Sequence, residues 1–280
     1  MMETDWSEWI RSGGWAREEE ATIPVLPSHV AELVQMAFEP DVPVRRITSV
    51  VATEPVLAMQ VVRMANSAFS APASRITNIG EAVTRLGTEM VRNVVIAGCL
   101  NARLADPHVY GPQGRHIVDH CVGTAFLASL LAEPYGASGE LFLGGLLHDV
   151  GKLLILKLAH DFRRRSPNGP TDEAVEAVMV DRHPQIGGWL AGRWNMPVTV
   201  ADPIVWHHAP EWAEGNRSVA IVSAANRLAH RYGFGCEKDP ADLLEDPVLL
   251  TAGIDAVQLA SLDSRAQAIY DTARHVMATG

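Results

Sequence analysis

Ala, Leu, Val and Met recur along this chain at spacings of three and four, while alternating β-branched runs are scarce, a periodicity that predicts a nearly all-helical protein. Val30, Leu33, Val34, Ala37 and Phe38 make one apolar stripe of a helix that Ser28 caps and Pro40 ends. A short helix comes next, over 44–52. Pro55 opens another, because its missing N–H would be unpaired in a first turn anyway; Leu57, Val61, Met64 and Ala65 form its inner face, and Asn66-Ser67 closes it. Asn78 and Glu81 have the spacing of a capping box and open a helix that Leu86-Gly87 terminates. Thr88 caps another, carrying Met90, Val91, Val94, Val95 and Leu100. Ala105 to Gly114 gathers two Pro and two Gly in ten residues and is the strongest boundary signal in the chain. Further helices are predicted at 115–132, 138–158, 172–182, 184–194, 198–208, 217–232 and 263–278. Their short connections suit a compact bundle of antiparallel and crossing helices, so the expected fold class is all-α, in two packed helical subdomains.

Composition and charge narrow the partners. Of 280 residues 48% are hydrophobic and 20% charged, which is a folded chain and not a disordered one. Lys and Arg number 23 against 33 Asp and Glu, a formal charge of −10 that argues against nucleic acid, whose phosphates need a basic face. Cys99, Cys121 and Cys236 are too few and too scattered for a disulfide framework or a thiolate metal site, and fit a reducing cytoplasm. The start, Met-Met-Glu-Thr-Asp-Trp-Ser-Glu-Trp, has neither a basic nor an apolar targeting region, and no run of eighteen apolar residues occurs, so no membrane association is expected. Trp6 and Trp9 lie three apart in a short acidic helix and are expected to dock on the protein's own surface, a partner or dimer contact being the alternative. Trp189 and Trp194 are expected to pack the helices carrying His183 and His208. Arg163-Arg164-Arg165 reads as a solvated helix end.

Eleven His against three Cys is the unusual count. His116 and His120, four apart, share a helix face, as two ligands on one helix must. His148-Asp149 ends the apolar run Leu-Phe-Leu-Gly-Gly-Leu-Leu, so both are expected on a buried helix, where an imidazole and a carboxylate need hydrogen bonds or a cation. Any one of these, alone, is an ordinary core residue. Together with His183 and His207-His208 they form a set of imidazole and carboxylate ligands suited to iron, manganese, zinc or nickel.

These residues carry a resemblance. His120, His148-Asp149-Val-Gly-Lys152, His183-Pro and His207-His208 match the order and approximate spacing of the metal ligands in the HD superfamily of metal-dependent phosphohydrolases. The amino-terminal half more specifically resembles the HDOD family, through Leu26-Pro27, Thr53-Glu54-Pro55, Asn66-Ser67, Ile79, Ala82 and Leu86-Gly87, and the likeness spans roughly residues 22 to 235. It implies an amino-terminal extension over 1–21, an HDOD helical subdomain over 22–112 and an HD-like helical bundle with a carboxy-terminal helix over 113–280. By the same resemblance His120, His148 and Asp149 match one metal position, with Asp149 able to bridge, and His183, His207 and His208 match the second. The last ligand, an Asp in the family, falls at Asn226, which replaces an anionic oxygen with a neutral one. The implied cofactor is a divalent metal, iron or manganese, as one ion, two or none.

The likeness implies two alternative functions. HDOD proteins are regarded as bacterial signalling output domains, which implies a cytoplasmic binding module for a protein partner or a small nucleotide, as monomer or homodimer. The alternative is a metal-dependent phosphohydrolase acting on a nucleotide or phosphodiester, with Asp149 holding the metal and Lys152 near a phosphoryl oxygen. The Gly-Tyr-Pro loop of cyclic-di-GMP hydrolases is absent after His207-His208, where Ala-Pro-Glu-Trp stands.

Overall fold

The computed structural model describes residues 6–18, 36, 39, 42–52, 55–67, 75–104, 106–136, 138–166, 168–236, 238–239, 243 and 245–277. The helix expected after Ser28 falls, but for Met36 and Glu39, outside these residues, as do Leu26-Pro27, Thr53-Glu54 and the side chain of Cys99. Among the described residues every regular element is helical and there is no strand. The amino-terminal half contains α1 (Trp6–Arg11), α2 (Gly14–Glu18), α3 (Val44–Ala52), α4 (Pro55–Ala65) and α5 (Ile79–Leu104). The second half contains α6 (Pro107–Ala132), α7 (Ser138–Leu147), α8 (Val150–Arg165), α9 (Asp172–Arg193), α10 (Val198–Trp206), α11 (Arg217–Tyr232), α12 (Pro247–Thr251) and α13 (Ala256–Met277).

The local signals that set these bounds are hydrogen bonds at the helix ends. Asn78 Oδ1 accepts the Glu81 N–H at 2.9 Å to start α5. Asn66, past the end of α4, donates to the Ile76 carbonyl at 2.8 Å and accepts the Ile76 N–H at 2.9 Å, so the chain entering α5 is tied to the chain leaving α4. Gly87 (φ 79°, ψ 159°) kinks α5 where the sequence separates two helices.

Several predicted bounds are corrected. The Pro- and Gly-rich stretch after Ala105 is not a loop from 106 onward but the first turns of α6. Asp106 accepts the His108 N–H at 2.9 Å, Pro107 takes the first helical position, and the break is confined to Gly111 (φ 60°) before Pro112. Helices read separately at 172–182 and 184–194 are one, α9, with Pro184 inside it. Pro184 leaves the Val180 carbonyl without its helical donor, at a residue that lies on the exposed face of the helix. The helix read over 138–158 stops at Leu147 and restarts at Val150, so His148 and Asp149 occupy a buried turn and not a helix interior. The last helix begins at Ala256, earlier than position 263.

α6 is the central element. It packs against α7, α8, α11 and α13, and α13 also reaches α4 and α5, joining the two halves of the chain. α8 lies along α9 at backbone distance, because Gly151 and Gly187 face one another. A Cβ on Gly151 would run into the His183 carbonyl and stand 2.8 Å from the Gly187 nitrogen. The amino-terminal helices close the outer side of this pair. Trp6, Trp9, Ile10 and Trp15 are buried. Trp9 meets Phe162 of α8 with ring centroids 5.8 Å apart, and Trp15 sets its edge against Trp189 of α9 at 4.6 Å. The tryptophans therefore dock on the protein's own surface.

This packing sets the cost of two substitutions. Trp15→Ala is expected to lower stability by about 3 kcal/mol in urea unfolding, the cost of emptying a buried indole site. Gly151→Ala is expected to cost on the order of 3 kcal/mol, because the His183 carbonyl is backbone and cannot rotate away. A loss below about 1 kcal/mol in the second case, read from the same titration, would contradict the close α8–α9 contact.

Candidate metal centre

α7 is apolar from Leu141 to Leu147, and Leu141, Phe142, Leu143, Leu146 and Leu147 are all buried, so its carboxy-terminal end carries the next two residues, His148 and Asp149, into the core. Asp149 occupies the cap position of α8, yet its side chain makes no capping hydrogen bond. An Asp at that position ordinarily turns to the first amides of its helix. This one turns inward and is 2% exposed. Around it stand His120 from α6, His183 from α9, His207 just past α10 and Asn226 from α11, all buried, with His208 exposed at the rim.

The imidazoles share one orientation. His148 Nδ1 faces the Gly145 carbonyl at 2.7 Å, His183 Nδ1 the Met179 carbonyl at 2.6 Å, and His120 Nδ1 the Phe234 carbonyl at 3.0 Å. His207 Nδ1 lies 3.0 Å from the Pro203 carbonyl and 3.1 Å from that of Ile204. A carbonyl oxygen can only accept, so each Nδ1 carries a proton and Nε2 is the nitrogen that each ring turns inward. The Nε2 atoms converge on one carboxylate. His183 and His207 lie 3.2 and 3.5 Å from Asp149 Oδ1, and His148 lies 3.4 Å from Oδ2. His183 Nε2 and His207 Nε2 are 3.3 Å apart. His148 Nε2 and Asp149 Oδ1 have no hydrogen-bond partner.

Buried ring nitrogens and a carboxylate oxygen that face one another are stabilised when a proton or a metal cation is shared among them. The donors fit a metal on that ground. Two sets have ligand atoms mutually within 4.8 Å, Asp149 with His183, His207 and His208, and His120 with His148 and Asp149. Fixing the tautomer through a carbonyl on the far nitrogen is the usual outer support of an imidazole ligand. The titration of the groups agrees. Burial, and then the neighbouring His148, push His120 down to about 3 and keep it neutral. Burial works against an ionised Asp149, but His148 and the Lys152 ammonium outweigh it and hold the carboxyl well below the usual carboxylate range. Lys152 Nζ donates to Asp149 Oδ2 at 2.6 Å.

The structure thus brings His120, His148, Asp149, Lys152, His183, His207, His208 and Asn226 together, and leaves His116 exposed outside the cluster. It adds two neighbours that the sequence pattern did not single out. The His230 ring lies 4.7 Å from that of His120, and Cys236 Sγ is 3.3 Å from His230 Nδ1 and 3.9 Å from His120 Nδ1. His230 stands four residues after Asn226 on one helix, a spacing that was available to find it. Cys236 is placed there by its neighbour Gly235, in a left-handed turn (φ 66°) that lets the backbone lie against α6.

Comparison with known proteins places the fold. An uncharacterized protein of Treponema pallidum (strain Nichols) is 27% identical over 220 residues, covering 73% of this chain and 41% of its own length. A ribonuclease Y of Thermus thermophilus is 31% identical over 127 residues, 45% of this chain and 18% of the relative. The chain therefore spans about two fifths or less of these relatives. An HDOD domain protein of unknown function from Geobacter sulfurreducens has the same fold, with a TM-score of 0.73 at 23% identity over 96% of this chain and 97% of that one. The family model for the HDOD domain matches residues 23–210. The chain belongs to the HDOD domain family.

Proposed function

We propose that this protein is a signal-transduction module of bacterial cytoplasm that binds a regulatory partner, a protein or a small nucleotide, and whose buried His/Asp cluster holds a divalent metal, iron or manganese, that stiffens the helical bundle. The observation that carries the reading is the enclosure of the donors. His120, His148, Asp149, His183 and His207 are each at most 4% exposed, and they come from two helices and two interhelical turns that no short local segment could hold together. Metal sites that serve structure are closed by protein ligands, whereas catalytic ones keep a position open to water or substrate. His120, His148, Asp149, His183, His207, His208 and Asn226 line the cluster that would hold the metal. The bound ion would supply positive charge to a dry pocket of inward ring nitrogens, tying the surrounding helices to one point.

A second reading, hydrolysis of a phosphodiester or nucleotide, is favoured by the rim. His208 is exposed and the Lys152 side chain is 25% exposed, so this side of the cluster touches solvent. There the metal would polarise a phosphoryl oxygen, Asp149 would hold it, and Lys152 would face the substrate's charge. Two features weigh against it. Lys152 is bound to Asp149, so its charge is already engaged by a carboxylate. The net charge of −10 also works against a polyanionic substrate such as the RNA named in the ribonuclease Y relative.

Metal removal separates the readings. Chelation is expected to lower Tm by about 5 to 10 °C, the effect of losing a ligand held at roughly a hundred times its Kd, and re-addition of manganese should restore it. Hydrolysis of an aryl phosphodiester should be absent with and without metal. An activity that needs metal and disappears in Asp149→Ala would establish the hydrolytic reading instead.

A further inference from the structure

We propose that the cluster holds one divalent cation and not two, between Asp149 Oδ1 and the imidazoles of His183, His207 and His208, and that Lys152 and Asn226 occupy the place of the second cation beside His120 and His148. The proposal rests on the metal-holding reading above and fixes its stoichiometry and position.

The two oxygens of Asp149 are in different situations. Oδ2 faces His148 at 3.4 Å and His120 at 4.0 Å, and it already carries a positive charge, the Lys152 ammonium at 2.6 Å. Oδ1 faces His183 at 3.2 Å and His207 at 3.5 Å and has no hydrogen-bond partner. A dication beside Oδ2 would have to displace the ammonium or sit next to it, and two cations on one oxygen repel. Beside Oδ1 it meets two inward ring nitrogens and no ammonium.

His120 is closed in the same way. Its Nδ1 faces the Phe234 carbonyl, an obligate acceptor, and its Nε2 lies 2.9 Å from the Asn226 side-chain amide. If His120 is neutral, the Asn226 NH₂ must turn to the Nε2 lone pair; if it is an imidazolium, Nε2–H donates to the Asn226 oxygen. In both states the nitrogen that would ligate a metal is already engaged. A carboxylate at position 226 could only accept, and with a neutral Nδ1–H ring it would face the Nε2 lone pair as another anionic donor for a cation. On this side only His148 Nε2 remains, one nitrogen next to an ammonium. On the other side Asp149 with His183, His207 and His208 makes a complete set of four donors. Three imidazoles and a carboxylate, with no thiolate among them, suit a first-row divalent ion.

The test is metal stoichiometry on the full chain, stripped with chelator, loaded with Mn²⁺, desalted, and read by elemental analysis and electron paramagnetic resonance. One equivalent is expected, with the spectrum of an isolated ion. His183→Gln should reduce retained metal by at least about tenfold and His120→Gln should leave it at one equivalent. Should His183→Gln fail to fold, His208→Gln removes a donor from an exposed ring and gives the same readout. Asn226→Asp combined with Lys152→Met should admit a second ion and produce the spectrum of a coupled pair. Two equivalents in the unaltered protein, or retention that depends on His120 and ignores His183, would overturn the single-site assignment alone. A double variant that stays at one equivalent would overturn the roles given to Lys152 and Asn226. No uptake at all would overturn both this proposal and the metal-holding reading.

Discussion

A carboxylate sealed in a helical core must be neutralised on the spot, and in this protein nearly everything around residue 149 answers that demand. Ionised Asp149 has its water removed on all sides, a cost of several kcal/mol for an unpaired charge. One oxygen is met by the Lys152 ammonium from the first turn of the same helix. The other is met by the inward nitrogens of His183 and His207. Their Nδ1 protons are committed to the Met179 and Pro203 carbonyls, so only Nε2 is left to face the carboxylate. Lys152 balances the carboxylate's charge but leaves Oδ1 without a hydrogen-bond partner, and the architecture can be understood as the apparatus that presents that electron-rich face.

The helices are arranged accordingly. α7 is apolar from Leu141 onward, so this end buries itself and delivers the His148-Asp149 turn to the centre. The glycine contact between α8 and α9 sets the distance from Asp149 to His183, since any side chain at Gly151 would push the His183 backbone outward. The amino-terminal tryptophans load the far side of the same two helices. Packing and site are therefore one problem, because the closeness needed for the donors is the closeness that only small residues allow.

Much of the fold and most of the cluster were legible in the amino-acid order. Helix-forming periodicity, the Asn78 cap and Pro55 are local, and local signals survive tertiary context; Asn216 likewise accepts the Val219 N–H at the start of α11, the position expected from sequence. The Pro184 and Gly-Pro signals misled, because a proline in a helix is tolerated where the orphaned carbonyl reaches water. The His148-Asp149 turn was misplaced into a helix because an apolar run looks the same whether or not it stops two residues later. The ligand residues were visible from their chemistry and order. What fixes them was not, since Gly145, Met179, Pro203 and Phe234 contribute backbone carbonyls, which have no signature in a sequence. The engagement of Asn226 with His120 likewise depends on the distance between elements far apart in the chain.

The central claim is that four buried imidazoles are held as Nδ1–H rings, with the Nε2 atoms of His148, His183 and His207 directed at Asp149. Nitrogen-15 NMR of the histidine side chains in the chelated protein near neutral pH measures this directly. His120, His148, His183 and His207 should each give a protonated Nδ1. The unprotonated, pyridine-like Nε2 signals of His183 and His207 should shift on adding a diamagnetic divalent metal such as Zn²⁺. The ordinary solution preference for Nε2–H at His183 and His207, unchanged by metal, would contradict the claim.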